Sequence, residues 1–90
     1  MRIEDFGWTH AVSEKVQTRH RLTIEEVESA MLDRRAHIKK AERDKFILLG
    51  RSATGSYITV VFAYRRRVAR IITARRMDAN ERRAYRKSRN

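Results

Sequence analysis

Two arginines at predicted strand ends are the residues of this chain best suited to chemistry on a phosphate. Arg75 ends the apolar, β-branched run at residues 68–73, and Arg51 ends the run that begins at Lys45. A guanidinium donates two parallel hydrogen bonds to phosphate oxygens and stays charged at all relevant pH. Because a buried strand holds its end rigidly, we predict Arg75 as the principal clamp on a phosphodiester transition state and Arg51 as the second. The alternative for Arg75 is a surface ion pair with Glu81.

His20 and Tyr85 are the candidate proton carriers. A histidine near a helix end titrates close to neutrality and could exchange a proton with substrate. A tyrosine on the last helix could stack on a base or donate to a leaving oxygen. The alternatives are a capping histidine that joins two helices and a tyrosine that anchors an otherwise polar helix.

The carboxylates and histidines do not form a pattern that binds metal. The chain has no cysteine, so no cysteine–histidine zinc set is possible, and Glu42 and Asp44 make a single acidic pair. We therefore expect a nuclease built from these residues to work without metal or another cofactor. The ribose 2′-hydroxyl would attack the adjacent phosphorus, which restricts such an enzyme to RNA.

Positive charge is concentrated at the C-terminal end of the chain. Residues 65–90 hold 11 of the 22 lysines and arginines and two of the 11 acidic residues, within a net charge of +11. Segregated charge of this kind favours a polyanion, most often nucleic acid, over a merely solvated face. The residues predicted to grip the RNA backbone are Arg65, Arg66, Arg67, Arg76, Arg82, Arg83, Arg86 and Lys87.

Length and composition limit the class of protein. Ninety residues are enough for one domain with its own core. Residues 1–5 lack the apolar run of a signal peptide, and no stretch reaches the roughly 18 apolar residues of a membrane span. The absence of cysteine suits a reducing compartment. We expect a soluble cytoplasmic protein with no membrane contact.

The hydrophobic pattern predicts one α+β domain over residues 1–90, with two N-terminal helices, a three- to four-stranded antiparallel meander sheet and a C-terminal helix. The first helix follows an N-cap at Thr9, and the second begins with a capping box of Thr23 and Glu26. Strands are predicted at residues 36–40, 45–51, 57–64 and 68–75, and the last helix from residue 78.

The same pattern gives expectations for individual side chains. Arg70 and Arg75 are five residues apart on one predicted strand, so Arg70 is predicted to face the other way and to be structural or peripheral. Trp8, just before the first cap, is predicted to anchor the core. The strand at 57–64 is almost continuously apolar, which predicts cover on both faces. Residues 88–90 are predicted to fray.

Three features in order resemble the BrnT-type toxins of bacterial type II toxin–antitoxin systems. The first is Trp8 followed twelve residues later by His20. The second is the strand–turn–strand unit at residues 45–61. The third, and the most specific, is the arginine-isoleucine-isoleucine-threonine-alanine-arginine run at residues 70–75, with a basic segment at residues 81–85 behind it. Together these features cover nearly the whole chain.

The resemblance implies a RelE-like fold and an endoribonuclease that cleaves messenger RNA and arrests growth. It also implies a cognate antitoxin with a ribbon-helix-helix-type DNA-binding part, which covers the basic groove and brings the complex to operator DNA. The chain departs from the family pattern at Val12, Val16, Arg21 and Ser56.

Two other functions compete with the ribonuclease. One is a catalytically inactive RNA- or ribosome-binding module on the same fold. The other is a DNA-binding repressor component, which ranks last because no helix-turn-helix or zinc-finger spacing is present and the early helices are acidic.

Overall fold

The computed structural model describes residues 1–87, and over this range it shows three helices and a five-stranded sheet. In chain order the elements are β1 Asp5–Gly7, α1 His10–Arg19, α2 Ile24–Met31, β2 His37–Lys40, β3 Lys45–Arg51, β4 Tyr57–Arg65, β5 Val68–Arg76 and α3 Ala79–Lys87. The predicted fraying of residues 88–90 lies outside the described residues. In the described part of the chain, no helix has the length and apolar character needed to cross a membrane.

Both early helices begin where the sequence predicts, because side chains satisfy their first free N–H groups. The Thr9 hydroxyl accepts from the N–H of Val12 at 3.1 Å. Thr23 and Glu26 form the predicted capping box, with bonds of 3.0 and 3.1 Å. Leu22, just before this cap, is buried in the same core cluster as the helix, so the entry angle of α2 is fixed.

The sheet is mixed, with strand order β1-β5-β4-β3-β2. Strands β2 to β5 form the predicted antiparallel meander, and the predicted edge strand is β2. The expectation of a purely antiparallel sheet of three to four strands is wrong, because β1 adds a fifth strand parallel to β5, with Asp5 opposite Val68. Three residues show no alternation, so the sequence pattern cannot reveal this strand.

A β-bulge on β5 changes which way one arginine points. Val61 pairs with Thr73 and Phe62 with Ile71, so Ile72 is an extra residue on β5. The bulge resets the side-chain alternation. Arg70 and Arg75 therefore lie on the same face of the sheet, and the prediction that Arg70 faces the other way is wrong.

The prediction that both faces of the central strand are covered is confirmed for one face and for one end of the other. Helices α1 and α2 cover one face, where the largest fully buried side chains are Val16, Leu22, Val27, Leu48, Ile58, Val60, Phe62 and Ile71. Helix α3 covers the other face only at the Tyr57 end of β4, where Tyr85, Leu49 and Met77 pack with Tyr57. Trp8 packs against the larger core and its indole N–H donates to Glu28 at 2.8 Å, which confirms it as an anchor.

Strand β3 and helix α2 approach each other closely at Gly50. A Cβ at this position would lie 2.2 Å from the carbonyl oxygen of Ala30. Only glycine allows this distance. The contact fixes the end of β3, and therefore the position of Arg51, against α2.

Candidate nucleic-acid interface

Three guanidinium groups surround the ring of Tyr57 at one end of the sheet. The guanidinium carbons of Arg82, Arg51 and Arg86 lie 4.6, 5.1 and 5.5 Å from the ring centroid. These are cation–π distances. One Arg86 nitrogen also donates to the Tyr57 hydroxyl at 3.5 Å. The ring thus holds three positive charges around one point of the surface.

The β3–β4 hairpin and helix α3 bring these four residues together. Arg51 ends β3 and pairs in register with Tyr57, the first residue of β4. Between them the turn is closed by a Ser52 N–H bond to the Ser56 carbonyl at 2.8 Å. Arg82 and Arg86 are four residues apart on α3, so they point to the same side of the helix.

The positive charges lower the pKa of the Tyr57 phenol. The hydrogen bond from Arg86 is the largest cause, and the charges of Arg51 and Arg82 act in the same direction. A phenol with a lowered pKa releases its proton more readily than an ordinary tyrosine. Tyr57 can therefore act as an acid as well as a platform for a base or ribose.

Two cavities flank the β3–β4 turn and continue this positive surface. The larger, of about 600 Å³, is lined by Asp33, Arg34, Arg35, Arg51, residues 52–55 and Tyr85. The smaller, of about 400 Å³, is lined by Gly55, Ser56, Tyr57, Arg76, Met77 and Arg82. We call the two cavities together with Arg86 the Tyr57 groove. Its walls present arginines from β3, β5, α3 and the segment after α2.

Tyr85 is buried beneath α3 and is only 2% exposed. Its hydroxyl donates to one Asp33 oxygen at 2.5 Å. The same carboxylate accepts from the N–H groups of Arg51 and Arg35, at 2.9 and 3.0 Å. This geometry fits the alternative in which Tyr85 anchors the last helix. Through Asp33, the Tyr85 hydroxyl links α3 to the backbone N–H of Arg51 at the end of β3. This link holds Arg82 and Arg86 against Tyr57.

Asp33 remains ionised at the centre of these bonds. Burial alone would raise the pKa of its carboxyl, but the hydrogen bonds from Tyr85, Arg35 and Arg51 outweigh burial and lower that pKa. The carboxylate therefore accepts all three bonds near neutral pH.

Arg75 is paired with Glu81 and does not line either cavity of the Tyr57 groove. Its two terminal nitrogens lie 2.7 and 2.8 Å from the two Glu81 oxygens. Glu81 also forms a reciprocal cap with Asp78 at the start of α3, with bonds of 2.9 and 2.8 Å. The Arg75 hydrogen bond lowers the pKa of Glu81, and Glu81 in turn raises the pKa of Arg75. The geometry matches the ion-pair alternative.

His20 is the half-buried C-cap of α1 and lies at the corner between the two early helices. It does not line either cavity of the Tyr57 groove. The corner is connected to the groove through Arg76, which donates to the carbonyl of Arg21 at 3.3 Å. The structure thus places His20 beside the groove wall rather than on it.

The predicted RNA contacts fall at two ends of the sheet. Arg76, Arg82 and Arg86 belong to the Tyr57 groove, and Arg83 and Lys87 are exposed on α3. Arg65, Arg66 and Arg67 lie at the opposite end of β4, a nine-residue strand that spans roughly 27 Å. There Arg65 and Arg66 line a separate cavity with Arg70, and Arg67 pairs with Glu4 at 3.2 Å.

Sequence reasoning missed Tyr57, Arg34 and Arg35 as members of the site. Tyr57 follows directly after the turn and faces Arg51 across the hairpin, which is the signal that could have identified it. Arg34 and Arg35 lie in a segment without periodicity, and only the tertiary fold brings them to the groove. Over residues 1–87, no group of three or more histidines and acids is placed to hold a metal ion.

Comparisons with known proteins agree with the fold. Residues 8–81 match the model of a family described as the ribonuclease toxin, BrnT, of type II toxin–antitoxin systems. A 1.1 Å crystal structure of the Brucella abortus ribonuclease toxin BrnT superposes with a TM-score of 0.66 at 16% identity, over 82% of this chain and 96% of that one. At this identity the superposition shows a shared fold. No curated protein matches the chain in sequence.

Proposed function

Because this chain belongs to the BrnT family of type II ribonuclease toxins, we propose that it is an endoribonuclease that cleaves messenger RNA in the Tyr57 groove without a metal ion. The observation that carries the proposal is the placement of Arg51, Arg82 and Arg86 around one tyrosine ring. Three convergent guanidinium groups match the charge that develops on a phosphorane.

The reaction begins when the ribose 2′-hydroxyl oxygen attacks the adjacent phosphorus. The bond from phosphorus to the 5′-oxygen breaks, leaving a 2′,3′-cyclic phosphate and a 5′-hydroxyl. The attacking hydroxyl loses a proton and the leaving oxygen gains one. We assign proton donation to Tyr57, whose lowered pKa suits an acid close to three cations. His20, the predicted acceptor, lies beside the groove wall rather than on it, so we assign the proton lost by the 2′-hydroxyl to solvent.

Arg51 and Arg82 are the proposed clamps on the non-bridging phosphate oxygens. Arg51 is held at a strand end by its own N–H bond to Asp33, and Arg82 is held because Tyr85 fixes α3. Arg75 is proposed to act through α3, since its bond to Glu81 positions the helix that carries Arg82 and Arg86.

The test is cleavage of total RNA by the purified chain in EDTA. We expect Tyr57→Phe and Arg82→Ala each to lower the rate by about 100-fold. Arg66→Ala is the matched control, since it removes an arginine at the far end of β4, and it should stay within about twofold of the unmodified rate.

Three results would overturn parts of this proposal. RNA binding without cleavage would identify the inactive binding module. Loss of cleavage on adding EDTA would contradict the metal-free reaction. Loss of cleavage in Arg75→Ala, with Tyr57→Phe unaffected, would move the site to the other side of α3.

We further propose a cognate antitoxin with a ribbon-helix-helix-type DNA-binding part, which neutralises the toxin and brings the pair to operator DNA. The family's place in type II toxin–antitoxin systems supports the existence of that partner. Inducible expression of this chain alone in the bacterial cytoplasm should arrest growth and deplete transcripts, and co-expression of the antitoxin should restore growth.

A further inference from the structure

Exposed apolar side chains cluster beside strand β2. Met1, Leu32 and Ile38 are 56%, 60% and 38% exposed, and all three line one cavity of about 350 Å³. Ile3 and Ala36 line the same cavity. We call these five residues the edge patch. Three exposed apolar side chains grouped at one place, with charged residues beside them, are typical of a small interaction site.

Strand β2 leaves one edge of the sheet open next to this patch. Among the described strands it is the last in the sheet order and pairs only with β3. All four of its residues are exposed. In an antiparallel pair, alternate residues direct their N–H and C=O groups away from the partner. The outer side of β2 can therefore accept another extended segment.

The charges around the edge patch favour an acidic partner. Arg34 lines the cavity, and Lys40 is exposed on the same face of β2 as Ile38. Asp33, which also lines the cavity, is already bonded to Tyr85 and to two backbone N–H groups. A segment that combines apolar and acidic residues is therefore complementary to this surface.

The edge patch is continuous with the Tyr57 groove. Asp33 and Arg34 line both the patch cavity and the larger groove cavity. A chain that leaves the patch past Arg34 thus enters a cavity lined by Arg35 and Arg51. One continuous segment can therefore occupy the edge patch and also cover the groove.

We propose that the edge patch is the docking surface of the antitoxin. An extended antitoxin segment pairs with β2, seats apolar side chains on Leu32 and Ile38, and continues with acidic residues into the Tyr57 groove. The inference rests on the proposed function, from which it takes the partner. It adds the place of binding and the chemistry that the partner must present.

The test measures binding of this chain to its purified cognate antitoxin by calorimetry. We expect the double variant Leu32→Glu, Ile38→Glu to bind about 100-fold more weakly, because charged groups replace two apolar anchors. Val68→Glu is the matched control, since Val68 is 39% exposed on β5 at the far end of the sheet. It should bind within about threefold of the unmodified chain.

Cleavage of RNA by the free variants separates this inference from the proposed function. The double variant should retain cleavage and should no longer be inhibited by antitoxin. Unchanged antitoxin affinity, or an equal loss in Val68→Glu, would overturn the docking surface even if cleavage is normal. A free chain that sediments as a dimer, and becomes monomeric in the double variant, would instead assign the patch to a second copy.

Discussion

Arg75 and Glu81 form a two-pronged ion pair that joins the end of β5 to the first turn of α3. The Glu81 side chain is 21% exposed and the Arg75 side chain 44% exposed. Glu81 simultaneously caps the helix through Asp78. One carboxylate thus fixes both the start of α3 and the direction in which it leaves the sheet.

A double-mutant cycle should measure this pair. We expect Arg75→Ala and Glu81→Ala each to destabilise the fold, with a coupling energy of about 1 kcal/mol, since solvent screens a partly exposed pair. Urea unfolding of the four proteins at pH 7 provides the measurement. Arg70→Ala, on the same face of β5, is the control. Additive effects of the two substitutions would show that the pair does not contribute to stability.

Salt dependence should separate the two arginine clusters. For single-stranded RNA, log affinity falls with log salt by about 0.7 for each phosphate contact. Removing a groove arginine with Arg82→Ala should make the slope shallower by about 0.7, whereas Arg66→Ala should leave it unchanged. Fluorescence anisotropy with a labelled RNA at several salt concentrations would determine both slopes. Equal changes would show that RNA spans both ends of β4.

Acid should weaken the fold through carboxylates whose pKa the folded state lowers. The backbone bond at Thr23 lowers the pKa of Glu26, the Arg75 bond lowers that of Glu81, and the bonds to Asp33 lower its pKa despite burial. Each group stabilises the fold above its ordinary value, 4.5 for glutamate and 3.8 for aspartate, and this stability is lost as pH falls through the lower folded pKa.

Asp33→Asn tests the carboxylate that accepts hydrogen bonds from Tyr85 and from the backbone N–H groups of Arg35 and Arg51. The variant should be less stable at pH 7 and should lose less further stability than the unmodified chain between pH 5 and 3. Urea midpoints across this range give the comparison. The exposed Glu25→Gln on α2 controls for loss of a surface charge. Parallel pH curves for Asp33→Asn and the unmodified chain would contradict the assignment.

Gly50 should tolerate no side chain. Gly50→Ala places a Cβ 2.2 Å from the Ala30 carbonyl, so α2 or β3 must move, and we expect a loss of about 3 kcal/mol. Gly7→Ala is the control, because a Cβ there meets Arg70 atoms at an ordinary 3.6 Å. Thermal unfolding compares the two. Equal stability of both variants would mean that the contact between α2 and β3 is looser than described.

Local chemistry made much of the fold predictable. A capping box such as that of Thr23 and Glu26 is complete within four residues, and β3, β4 and β5 are long enough to show their apolar character. Arg51 was placed correctly at a strand end for the same reason. The sequence suggests two roles for Arg75, a phosphate clamp and an ion pair with Glu81. Only the position of α3 shows that the geometry matches the ion pair.

Features that depend on distant pairing could not be predicted. Strand β1 has three residues and its partner is more than 60 residues away. The bulge at Ile72 arises from the register between β4 and β5, which the sequence alone does not show. The predicted direction of Arg70 is wrong for this reason. The role of Tyr57 depends on Arg82 and Arg86, which helix α3 places over its ring. The sequence does not show how α3 packs on the hairpin.

The pairing of the first strand with the last also limits when the protein can fold. Within residues 1–87 strand β1 bonds only to β5, so a growing chain on the ribosome cannot complete its sheet before residues 68–76 have been synthesised and released. Arg82 and Arg86 emerge later still. Such sequence-distant contacts have a high contact order and form slowly. The Tyr57 groove therefore forms only after both strand β5 and helix α3 have been synthesised.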